Sequence, residues 1–168
     1  EEFLKRFGWL LNNPITKSSE NIKFTRTVQF FFAHHIKNKT GKETYKSVRQ
    51  WLYDSLKYYG KNGAFEWGTH YHSWTVGAIQ NLAEFSPDAE IKKLATMAID
   101  YWLAQQSAFS LHGKVASGAV RRYRFWALGT VPFETMVNKI LFNGGSQKDN
   151  WFVEWAATNY APPALLLD

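Results

Sequence analysis

Asn62-Gly63-Ala64-Phe65-Glu66-Trp67-Gly68-Thr69-His70-Tyr71-His72-Ser73-Trp74 is the stretch on which the reading of the fold turns. Gly63 and Gly68 interrupt it, and it reads as a connection rather than a regular element. On its N-terminal side, Tyr45, Val48, Trp51, Leu52 and Leu56 recur at helical spacing. On its C-terminal side, Trp74, Ala78, Ile79, Leu82 and Phe85 do the same. The stretch therefore joins two helices, expected over Glu43–Tyr59 and Tyr71–Phe85. Gly60 and Gly63 end the first, with Gly60 well placed for a left-handed cap. A polar, aromatic connection on a helical scaffold is where binding residues collect.

Outward from this junction the same pattern continues. Phe3, Leu4, Phe7, Leu10 and Leu11 form a helical stripe stopped by Asn12-Asn13-Pro14. Ser18 or Ser19 can cap the next helix, with Glu20 in its first turn, where the macrodipole favours a carboxylate. That helix runs through Ile22, Phe24, Val28, Phe31, Phe32 and Ile36, and its apolar circumference marks it as buried. Lys37 to Lys42 reads as a polar turn containing Gly41. Beyond Phe85, Ser86-Pro87-Asp88 breaks the chain, and Pro87 or Asp88 starts a helix whose pattern continues to about Leu111. Short helices are expected over Phe133–Phe142 and Trp151–Ala157. The fold class is all-α, with about seven helices and no significant sheet. Short connections make neighbours antiparallel. Pairing of helices of similar length points to repeated α-hairpins, although no residue-level repeat is visible.

The composition fits one folded domain over residues 1–168: 45% hydrophobic and 20% charged residues are proportions of a globular chain with a core. Both ends read as cuts in a longer chain. A formal charge of +6 favours anionic partners. The basic residues form no single stripe, which argues against nucleic acid. Cysteine is absent, which removes disulfide and thiolate chemistry. No apolar run approaches the ~20 residues of a spanning helix.

Several groupings carry chemistry. Glu20 and Glu66 each follow a loop at a helix start and form a candidate carboxylate pair; glycoside hydrolysis needs two carboxyls roughly 5–9.5 Å apart. His70 and His72 stand two apart, a spacing that aligns two metal ligands on an extended segment, with His34, His35, His112 or Glu66 as a third. No stronger metal spacing supports them, and no metal or cofactor is expected. His34-His35, within an apolar helix, reads as a core or boundary pair. Trp67, Tyr71 and Trp74 offer π-faces to sugar rings. Trp67 is the best placed of these, while Phe65 and Trp74 read as anchors in the core. Arg121 and Arg122 match a carboxylate with a planar fork, and Tyr123 beside them can move a proton if their field lowers its pKa.

Ser19-Glu20-Asn21, Gly63-x-Phe65-Glu66-Trp67 with Tyr71, Asn81-Leu82-x-x-Phe85, Pro87-Asp88-x-Glu90-Ile91-x-x-x-Ala95, Asp100, His112-Gly113, Arg121-x-Tyr123 and Tyr160-x-Pro162-Pro163 follow one another in an order that resembles a known architecture. Large bacterial proteins with an α/α-toroid domain carry it. They are similar in outline to the toroid domains of alginate- and heparinase-type polysaccharide lyases. The resemblance covers about residues 9–165. It implies antiparallel helical hairpins forming part of an (α/α) toroid, some three hairpins of the usual six, in a secreted or periplasmic protein.

It also implies site residues. Asn21 would neutralise a uronate carboxylate, Tyr71 or His72 would abstract the α-proton, and Tyr123 with Arg121 would protonate the leaving oxygen. Glu20, Glu66, Trp67 and His70 would bind the substrate, an anionic polysaccharide or oligosaccharide. Ile22 stands where the lyases place a histidine, and Val120 where a glycine precedes Arg-x-Tyr. Those departures favour an alternative, a helical glycan- or protein-binding scaffold without catalysis. Hydrolysis by Glu20 and Glu66 is the other alternative.

Overall fold

The computed structural model describes residues 21–36, 39–63, 71–108, 110–111, 114–115 and 159–164. Among the described residues the protein is all-α. Four helices, α1 (Asn21–His35), α2 (Lys39–Asn62), α3 (Tyr71–Phe85) and α4 (Ala89–Ala108), form the body. A minimal antiparallel pair follows, β1 (Ser110–Leu111) with β2 (Lys114–Val115), in the register Ser110 to Val115 and Leu111 to Lys114. The expected helices before Asn12 and over Phe133–Phe142 and Trp151–Ala157 lie outside the described residues.

Each helix boundary has a local cause. Asp88 caps α4: its Oδ1 accepts the backbone N–H groups of Glu90 and Ile91, both at 3.1 Å. Ser86 Oγ accepts the Asp88 amide at 3.2 Å and fixes the turn that Pro87 opens. The α4 helix ends at Ala108, short of the Leu111 that the apolar pattern suggested. There the chain enters the β1–β2 pair, with His112-Gly113 between its strands, a two-residue spacing typical of tight hairpins.

The α2 helix is longer at both ends than its apolar stripe suggested. Its buried face, Val48, Leu52, Leu56 and Tyr59, carries the helix past Gly60 to Asn62. The left-handed cap is Gly63, at φ 78°, whose N–H donates to the Tyr59 carbonyl at 2.8 Å. Gly60, read as the cap from sequence, lies inside the helix. Gly41, read as a turn residue, is buried in the first turn of α2. A Cβ there would overlap the Ile36 carbonyl and stand 2.6 Å from Ile36 Cγ2, so the tight α1–α2 connection requires glycine.

The helices pack as two hairpins laid side by side. In the first, Phe30 stacks on Tyr45 with ring centroids 5.0 Å apart, and the Arg26 guanidinium lies over the Trp51 ring at 5.6 Å. As α1 ascends from 26 to 30, α2 descends from 51 to 45, so the pair is antiparallel. The second hairpin, α3–α4, turns through the same short kind of connection. Between hairpins, α1 packs on α3 and α2 on α4. The Arg49 side chain meets Asp88 near the start of α4, and Gly63 meets Gln105 near its end, so α2 and α4 run parallel. It follows that α1 and α3 are parallel too. In a simple up-down-up-down bundle α2 would instead lie broadly against α3.

The two hairpins are also in phase. The α1 and α3 helices have 15 residues each and begin 50 residues apart, at Asn21 and Tyr71; α2 and α4 begin 50 apart, at Lys39 and Ala89. Burial repeats at the same interval: Ala33 with Ala83, Val48 with Ala98, Leu52 with Trp102. The core is continuous through both hairpins, from Phe30 through Leu52 and Leu82 to Trp102. Burying each such aliphatic or aromatic side chain stabilises by about 1.5–3 kcal/mol. From Thr75 to Gln80, α3 is buried at every position.

Candidate functional site

Parallel first helices place their starts at one end of the stack. The backbones of Asn21 and of Tyr71 and His72 therefore open α1 and α3 at the same end, where α2 finishes at Gly63 and α4 makes its last turns. Three of the expected catalytic residues thus share one end through the topology alone. The side chains of Asn21, Tyr71, His72 and Trp74 lie outside the described residues, as do Glu20, Phe65, Glu66, Trp67, His70, Arg121 and Tyr123 altogether. The described residues form the frame around them.

Gln105 belongs to that frame. Its Nε2 would stand 3.1 Å from a Cβ at Gly63, and among the described residues its buried Oε1 has no hydrogen-bond partner. A glycine with positive φ lets the α2 terminus approach this amide closely. Sequence reading marked Gly63 as a breaker and did not mark Gln105, because one glutamine near the end of a helix has no signature.

At the opposite end, His34 and His35 are both exposed, with ring centroids 5.4 Å apart, and His34 lies 5.7 Å from Tyr45. This corrects their reading as a core or boundary pair. They occupy the last turn of α1, where imidazole faces the negative end of the helix dipole. Among the described residues, no three His, Asp or Glu side chains gather as metal ligands.

A charged cluster ties α2 to the start of α4. Arg49 Nε donates to Asp88 Oδ2 at 2.5 Å, and Arg49 Nη2 to Glu90 Oε2 at 2.7 Å. Burial raises the Asp88 carboxyl, but hydrogen bonds from Arg49 and from the Ile91 and Glu90 amides outweigh it and hold the carboxyl below its usual range. The hydrogen bonds to Asp88 and Glu90 raise Arg49 further above its already high value. Burial, then the Asp88 charge, pushes the Tyr45 phenol up. A carboxylate engaged by one arginine and two amides is a structural pin rather than a proton donor.

A second tie brings residues from far along the chain onto the second hairpin. Tyr160 donates its phenolic O–H to Asp100 Oδ1 at 2.5 Å, and Asn159 Nδ2 donates to Glu84 Oε1 at 2.9 Å. Asp100 and Tyr160 both belong to the ordered motif series read from sequence, and the fold brings them together.

Described residues line a small concavity and a larger one. One, about 30 Å³, is a partly open dent against the core beside Thr27, Ser55, Leu56 and Ile79. It has room for about one water and not for a sugar. The other, about 450 Å³, is an open groove between α2 and α4 beside Lys57, Gly60, Met97 and Tyr101. None of these groove residues was singled out as a binding residue from sequence. No helix among the described residues is long and apolar enough to cross a membrane. No family model matches the chain, and neither a curated protein nor a solved structure does.

Proposed function

We propose that this chain is a carbohydrate-active domain of (α/α)-toroid architecture, and that it cleaves an anionic, uronate-containing polysaccharide by β-elimination. One observation carries the reading, the 50-residue phase of the hairpins. Asn21 and Tyr71 open equivalent helices at one end of the stack, and Arg121 stands one further period along the sequence. The residues with roles in elimination are thus spaced as successive hairpins of a ring would space them.

The chemistry divides among them as follows. The Asn21 amide hydrogen-bonds the uronate carboxyl and draws off its charge, which acidifies the proton on the adjacent ring carbon. Tyr71 or His72 takes that proton. The electron pair left behind forms a carbon–carbon double bond as the bond to the glycosidic oxygen breaks. Tyr123, under the field of Arg121, protonates that oxygen. Glu20, Glu66, Trp67 and His70 hold the neighbouring sugars, Trp67 by stacking.

The test is a panel of uronate polysaccharides followed by the ultraviolet absorbance of unsaturated uronate. The expected result is turnover that Asn21→Ala and Tyr123→Phe each reduce by about 100-fold or more. No absorbance change on any polymer would refute elimination. New reducing ends without absorbance would instead assign hydrolysis by Glu20 and Glu66. Ile22 and Val120 favour a second reading, a non-catalytic glycan-binding scaffold, whose mark would be retention of polysaccharide without turnover.

A further inference from the structure

We propose that the groove between α2 and α4 is a docking site for an acidic amphipathic segment of a partner protein. The proposal does not rest on the carbohydrate reading. The floor of the groove is apolar, made by Leu56 and Gly60 of α2 and by Leu94 and Ala98 of α4. Its rim carries Met97, 55% exposed, and Tyr101, 38% exposed. A volume of about 450 Å³ falls in the range of clefts that bind ligands.

Gly60 is the second observation. It sits within a 24-residue helix, where glycine destabilises relative to alanine. Nothing among the described residues requires it there: it has no positive φ, and a Cβ would meet none of them within 4 Å. Gly41 is compelled by a close approach and Gly63 by its φ, but Gly60 by neither. What its missing side chain does is deepen the groove floor.

Charge selects the occupant. Lys57 and Lys61 stand one turn apart on the α2 rim. Among the described residues neither has a carboxylate partner, and Lys57 contacts only the Tyr53 ring and hydroxyl, at 4.9 and 3.3 Å. The nearby acids of α4 are engaged elsewhere, Glu90 by Arg49 and Asp100 by Tyr160. An apolar floor flanked by two lysines suits a helix that seats leucine-like knobs between α2 and α4 and presents glutamates to the lysines. Exposed methionine at the rim adapts to such knobs. The four floor residues offer no polar side chain to the hydroxyls of a sugar.

The experiment uses the full chain and a fluorescein-labelled helical peptide with leucine at alternate third and fourth positions and glutamate elsewhere. Anisotropy should report saturable binding, weakened about tenfold or more by Gly60→Leu and by the pair Lys57→Glu and Lys61→Glu. Gly60→Leu fills open space, so its fold should persist by circular dichroism. Amide shift changes on binding should centre on Gly60, Ala98 and Tyr101. Absence of binding, equal binding of a lysine-for-glutamate peptide, or indifference to Gly60→Leu would overturn the proposal. So would saturation of the groove by an oligogalacturonate in place of the peptide.

Discussion

Gly41, Gly60 and Gly63 all belong to α2 or its cap, and each does different work. Gly41 makes room for the Ile36 backbone, Gly63 adopts φ 78°, and Gly60 is free of both constraints. Alanine should therefore act in opposite directions. Gly60→Ala should stabilise by about 0.5–1 kcal/mol, the helix-propensity difference. Gly63→Ala should cost about 1–2 kcal/mol, because a Cβ is strained in the left-handed region. Gly41→Ala should cost about 1–3 kcal/mol, because its Cβ would lie 2.6 Å from Ile36 Cγ2. Urea denaturation checks the order, and a destabilised Gly60→Ala would contradict the assignment of that glycine. In the sequence the three look alike, and composition can say only that glycine breaks helices. Distinguishing them needs φ and the distance to a neighbour, which are tertiary quantities.

At the scale of one element, α4 depends on its first residues. Asp88 is both its cap and the partner of Arg49, which lies 39 residues earlier. Asp88→Ala should lower stability by about 2 kcal/mol, the upper range for loss of a cap. Asp88→Asn keeps a capping oxygen and removes the charge. Because the folded carboxyl is held below its ordinary value, its contribution is present above the unfolded pKa of about 3.9. It is lost as pH falls through the lower folded value. The stability gap between wild type and Asp88→Asn should therefore close below about pH 4. A gap unchanged from pH 7 to pH 2 would show that the charge contributes nothing. Ser86-Pro87-Asp88 announced this start correctly, because capping is local chemistry. The arginine that completes it was not legible, since a contact across 39 residues leaves no trace in spacing.

Across the whole molecule, Tyr160 and Asn159 fasten a distant part of the chain to α3 and α4. Burial first, then the hydrogen bond to Asp100 and its negative charge, raises the Tyr160 phenol well above its ordinary value. Its contribution is therefore complete below the unfolded pKa of about 10 and is lost as pH rises through the folded value. In an alkaline titration followed by phenolate absorbance, Tyr160 should ionise with the late group that includes Tyr45. Tyr160→Phe should remove one tyrosine from that late phase and cost about 1 kcal/mol at neutral pH. A late phase of equal size in both proteins, with the missing tyrosine lost from the early phase instead, would refute the clasp.

The all-α class and the α3 boundaries were legible at this scale, because amphipathic spacing encodes them directly. The 50-residue phase was not, since the hairpins repeat burial rather than residue identity: Leu52 answers Trp102, and Val48 answers Ala98. The groove went unread for a related reason, as its central glycine resembled a helix end. The expected catalytic side chains lie outside the described residues, so the part of the site legible so far is its frame.

That phase has a consequence for how the chain tolerates changes of length. Each helix is paired both with its hairpin mate and with the equivalent helix one period away. Removing 50 residues in register would place α4 directly after α1 and still set an apolar face against an apolar face. Removing a handful within α2 or α3 would rotate every later side chain about the helix axis and turn polar faces inward. Length in this architecture is therefore quantised. Its helical body grows or shrinks by whole hairpins.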